Sequence, residues 1–76
     1  MNNKKRAVLK DTVSYLERAE NMVSEILDDE QDCMDNLPEN LQNSEKYERM
    51  EEAVDRLEDA LEDISGAMES ILVAAG

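Results

Sequence analysis

The sequence predicts an all-α fold: an antiparallel two-helix hairpin with coiled-coil-like packing. Three observations point there. From residue 47 onward apolar side chains recur at alternating spacings of three and four, the signature of a heptad seam. The one stretch with turn chemistry, residues 36–44, divides the 76-residue chain into two segments of nearly equal length. Nowhere do β-branched and aromatic residues alternate with the period of two that a strand needs. The length is that of one small domain, 1–76.

The first helix is expected over residues 4–35. Its apolar face is wide, comprising Val8, Leu9, Val13, Leu16, Ala19, Val23, Ile26, Leu27, Cys33 and Met34, with Tyr15 and Met22 at the margin. Thr12 and Glu30 interrupt it. A face this broad exceeds what one antiparallel partner helix covers.

The turn, residues 36–44, follows from Asn36-Leu37-Pro38-Glu39-Asn40-Leu41-Gln42-Asn43-Ser44. Pro38 pushes Leu37 out of the helical region, and Asn and Ser favour turns and caps. Ser44 is the expected N-cap of the second helix, with Glu45 and Glu48 in a first turn where carboxylates complement the helix dipole.

The second helix is expected over residues 45–74. Tyr47, Met50, Val54, Leu57, Leu61, Ile64, Met68, Ile71 and Ala75 form its unbroken seam. Ala53, Ala60, Ala67 and Ala74 recur every seven residues, one position before a seam residue, where small side chains let a neighbouring helix come close. Gly66 falls on the outer face and costs about 1 kcal/mol relative to alanine. Each helix should span roughly 45–48 Å at 1.5 Å per residue.

Two helices meet along a single line and make a thin core. The broad stripes therefore predict self-association, most economically a homodimer packed as a four-helix bundle. A monomeric hairpin, or one whose apolar face docks onto another protein, are the alternatives.

The charge is large and uneven. Twenty Asp and Glu oppose eight Lys and Arg, for a net charge of −12. Residues 1–18 carry +3, residues 19–45 carry −9 with no basic side chain, and residues 46–76 carry −6. In an antiparallel hairpin the basic amino end lies beside the carboxyl end of the second helix, whose dipole it offsets, and Arg18 is expected near Asp59 or Glu62. Direct nucleic-acid binding is not expected, because no aromatic stacking residues accompany the basic cluster and the total charge repels phosphate. A nucleic-acid mimic is physically possible. Duplex DNA carries roughly 28 charges over the expected hairpin length, against 24 net negatives for a side-by-side dimer of a chain with charge −12. The alternative is a solvated acidic face.

Composition excludes much chemistry. Without histidine there is no imidazole ligand and no Ser-His or Cys-His pair, and one cysteine builds neither an internal disulfide nor a Cys-rich zinc site. The run Asp28 to Glu39 offers oxygen ligands at the spacing of a calcium loop, but Cys33 stands where that loop needs glycine. Glu51/Asp55, Glu58/Glu62 and Asp59/Asp63 pair carboxylates at i, i+4 on faces expected to be exposed, where no acid-base chemistry follows. Met22, Met34, Met50 and Met68 sit at core spacing. Cys33 is expected to act as a small hydrophobe near the turn. No catalytic residue, cofactor or metal ligand is expected. The longest wholly apolar run, Ile71 to Ala75, is too short to cross a bilayer, and a cytoplasmic protein is expected.

The stretch from Asn36 to Glu48, followed by Met50 to Ala60, resembles short acidic accessory proteins of bacteriophages and mobile elements in Gram-positive bacteria. They share a Leu-Pro-Glu-Asn-Leu turn before a helix rich in Ala, Leu and Glu. The resemblance covers about the last 45 residues, and only the turn is its specific part. It implies a non-enzymatic accessory role, and phage-encoded acidic proteins include inhibitors that mimic DNA.

Together these readings predict a small interaction module, an inhibitor or adaptor, that presents Glu25, Asp28, Asp29, Asp32 and Asp35 to a basic, nucleic-acid-binding partner. The alternative is a purely structural scaffold acting through helix packing.

Overall fold

The computed structural model describes all residues, 1–76. Helix α1 runs over Asn3–Asp35, a short 3-10 turn over Glu39–Leu41, and helix α2 over Glu45–Ala75. The two helices pack antiparallel into a rod about 59 Å long and only 15 by 12 Å across. It is longer than either helix alone because the turn and the chain ends extend it.

Local chemistry sets each boundary. Asn2 caps α1, its side-chain oxygen accepting from the Lys5 N–H at 2.8 Å. The expectation of a start at residue 4 missed this cap, although an Asn pair ahead of Lys-Lys is a recognisable helix start. At the other end the Asn36 N–H donates to the Asp32 carbonyl and the Leu37 N–H to the Met34 carbonyl, and Pro38 turns the chain away at φ −55°, ψ 145°. Three further bonds, from Leu41 to Pro38, Gln42 to Glu39 and Ser44 to Leu41, stitch the turn at spacings of three. The 3-10 helix is a single turn that begins just after Pro38, within the stretch expected to be a turn.

Ser44 caps α2 as its sequence indicates, its hydroxyl oxygen accepting from the Tyr47 N–H at 3.2 Å. Ser44→Ala is expected to cost about 1 kcal/mol, read as a lower urea midpoint with unchanged slope. The helix ends at Gly76, whose φ of +88° is the left-handed conformation that glycine adopts without strain. A Cβ at Gly66 meets nothing within 4 Å, and α2 runs through it unbroken. Gly66→Ala is therefore expected to stabilise the protein by about 0.5–1 kcal/mol, seen as a higher melting temperature.

The core is a single line. Val13, Leu27, Val54 and Ala75 are the only buried residues of the 76. Around them the α2 seam, Tyr47, Met50, Leu57, Leu61, Ile64, Met68 and Ile71, is half-buried, as its spacing indicates. On α1 the covered line is Leu9, Val13, Leu16, Glu20, Val23, Leu27, Glu30 and Met34, continued by Leu37 beyond the helix. This corrects the broad apolar face in two respects. Val8, Tyr15, Met22, Ile26 and Cys33 are exposed, whereas two glutamates, Glu20 and Glu30, are half-covered on the line toward α2.

Two further expectations are revised. Arg18 makes no ion pair with Asp59 or Glu62; Asp59 instead meets Arg56 at 3.7 Å. Met22 belongs to the open surface and not to the hairpin core. Arg6, by contrast, does lie beside the carboxyl end of α2: its Nε comes within 3.8 Å of the position a Gly76 Cβ would take.

Candidate functional site

Two surfaces remain once the hairpin has closed, one acidic and one apolar. The acidic strip is built on the last eleven residues of α1. Glu25, Asp28, Asp29, Asp32 and Asp35 follow one another at helical spacing, and all five are exposed. They lie off the covered line of α1, yet Asp32 and Asp35 border a groove against Val54, and Asp29 borders one against Lys46 and Met50. None of the five takes part in an ion pair; the two ion pairs in the protein are Glu45 with Arg49 at 3.2 Å and Asp59 with Arg56.

The position of this strip is unfavourable for the helix that carries it. The carboxyl end of a helix is the negative pole of its dipole, and cations are favoured there. The last turn of α1 contains no basic residue and instead carries Asp32 and Asp35. Helix stability therefore does not account for the strip.

The run Asp28–Asp35 is helical, so its carboxylates point outward in different directions and do not wrap a common point as a calcium loop does. The i, i+4 pairs Glu51/Asp55, Glu58/Glu62 and Asp59/Asp63 are all exposed. Cys33 is exposed rather than packed at the turn. No helix is long and apolar enough to cross a membrane.

The apolar surface is a second strip on α1. Val8, Thr12, Tyr15, Ala19, Met22, Ile26 and Cys33 each stand one position before a residue of the covered line. On α2, Ala53, Ala60, Ala67 and Ala74 stand likewise one position before seam residues. In an antiparallel pair, positions that precede the seam on both helices share one side, and positions that follow it share the other. The contacts bear this out. Gln31 and Glu58, each following a seam residue, meet through a 3.4 Å hydrogen bond from Gln31 Nε2 to Glu58 Oε1. Cys33 and Lys46, each preceding one, line a shallow groove on the opposite side.

Of the residues assigned to the α2 seam, the three alanines Ala53, Ala60 and Ala67 thus flank the hairpin core without filling it. Ala60 is half-buried, and Ala53 and Ala67 are exposed. They form a shallow ladder beside the large side chains of the α1 strip. Sequence reading placed Tyr15 and Met22 at the margin of one broad stripe. The signal for a separate strip was the repeat of seven linking Val8, Tyr15 and Met22, and again Ala19, Ile26 and Cys33.

Comparison of the chain with protein-family models, curated proteins and solved structures returned no match. The site's own geometry therefore carries the functional reading.

Proposed function

We propose that the protein is a non-enzymatic interaction module whose acidic strip binds a basic partner, in the manner of an inhibitor or adaptor. The observation that carries this reading is the unpaired cluster Glu25, Asp28, Asp29, Asp32 and Asp35 at the negative pole of α1, a placement that works against the helix. A basic partner surface supplies the charge the cluster lacks and favours rapid, steered association.

The partner class best suited to a narrow, rigid, acidic rod is a nucleic-acid-binding protein. The match to duplex DNA is partial. Over the observed 59 Å length a duplex carries about 35 charges. A dimer of chains with charge −12 supplies 24, which is denser than one hairpin but short of the duplex value. The resemblance of the turn and second helix to accessory proteins of phages and mobile elements agrees with an inhibitory role. The scaffold alternative is favoured by the open apolar strip, which offers helix packing without any use of charge.

Full-length protein immobilised and offered lysate of its host cell tests the reading. Basic nucleic-acid-binding proteins should be retained at about 50 mM salt, released by about 300 mM, and displaced by duplex DNA. Retention that is indifferent to salt and to DNA overturns it in favour of the scaffold.

A further inference from the structure

We infer that the open strip of α1 is the contact surface for a second copy of this chain, packed antiparallel about a two-fold axis. The axis crosses α1 between Ala19 and Met22. The hairpin leaves Val8 58%, Tyr15 68%, Met22 67% and Ile26 54% exposed on one side while burying only four residues in all. From Val8 to Cys33 the strip runs about 37 Å along α1, more than half of the 59 Å rod.

The strip is self-complementary under this symmetry. Spacings of four and three alternate along it from Val8 to Cys33, so reversing its direction reproduces the same pattern. Val8 then meets Cys33 of the second copy, Tyr15 meets Ile26 and Ala19 meets Met22, large residues against smaller or branched ones. Thr12 opposite Asp29 is the one polar pair. The alanine ladder of α2 lies on the same side and lets the two hairpins approach closely.

Charge selects the antiparallel orientation. The half of the rod near the turn, residues 20–62, carries −13, and the half near the chain ends, residues 1–19 with 63–76, carries +1. Packing the copies with turns together would set −13 against −13 within about one Debye length, whereas the antiparallel arrangement sets each −13 against +1. The resulting rod is evenly acidic from end to end.

Asp29 belongs to both surfaces, so the dimer leaves Glu25, Asp28, Asp32 and Asp35 of the acidic strip open; a dimer can form whether or not a basic partner exists. Sedimentation equilibrium and a nitroxide on Cys33, the only cysteine, test it on the full chain. A dimer of twice 8.6 kDa is expected. Its two Cys33 backbones should lie about 37 Å apart, 25 residues of helix at 1.5 Å each. Met22→Glu should give the monomer mass, and Val73→Glu, on an outward position 76% exposed, should leave the dimer intact. A monomeric chain at 0.1 mM, a label separation below about 20 Å, or a Met22→Glu variant that still dimerises overturns the proposal. Because Cys33 lies within the contact, sedimentation of the labelled chain must also give the dimer mass, and sedimentation of the unlabelled chain decides the question even if Met22→Glu fails to fold.

Discussion

Val54→Asp is expected to unfold the hairpin, with most of the helical circular dichroism signal lost at 25 °C. Val54 is 6% exposed at the middle of the α2 seam, one of four residues that are buried at all. The substitution removes an apolar side chain from the core and puts a carboxylate in its place. That carboxylate would sit in a groove lined by Met34, Asp32 and Asp35, where the nearest charges are also negative. Lost burial and the desolvation of an unpaired charge together cost roughly 3–5 kcal/mol. Small domains have about that much stability to lose. The same change at Val73, which is solvent-exposed, should leave the melting curve nearly unchanged. Equal losses at both positions would mean that the seam does not hold the helices together.

Simultaneous replacement of Glu25, Asp28, Asp29, Asp32 and Asp35 by lysine is expected to abolish binding to a basic partner. The five changes move the net charge from −12 to about −2 and turn the strip positive. Electrostatic steering accelerates association by about 10- to 1000-fold. The variant should lose at least that factor in association rate, together with the salt dependence of binding. Because all five side chains are exposed and unpaired, the hairpin should stay folded, and lysine at the carboxyl end of α1 should strengthen the helix. Circular dichroism checks the fold, and stopped-flow binding to the retained partner checks the rate. Binding at the original rate would eliminate the strip as the recognition surface.

The two substitutions probe different layers. The first attacks the single line of packing that makes the rod rigid, and the second attacks what the rod displays. A rod only 12 Å across in its narrow direction has almost no interior. Each residue therefore either serves the seam or faces outward, and outward residues are free to be chosen for recognition.

The secondary structure and the turn were determined by the sequence alone, because their causes are local. Heptad spacing, the Pro38 break and the Ser44 cap act within a few residues, and the α2 seam from Tyr47 to Ala75 lies where its spacing puts it. The acidic strip was equally legible, since exposed carboxylates at helical spacing need no partner to be recognised. Which side of α1 would meet α2 was decided only by the tertiary structure. Two lines on α1 have the same alternation of three and four, one through Leu9, Val13, Leu16, Val23 and Leu27 and one through Val8, Tyr15, Met22 and Ile26, and both carry apolar side chains. The hairpin uses the first, with Glu20 and Glu30 in it, and that line continues through Met34 into the half-buried Leu37. The turn thereby ties the rotation of α1 to α2. Rotational phase between two helices depends on how the connecting residues pack. Neither helix encodes it separately, and the choice leaves the strip with Tyr15, Met22 and Ile26 open.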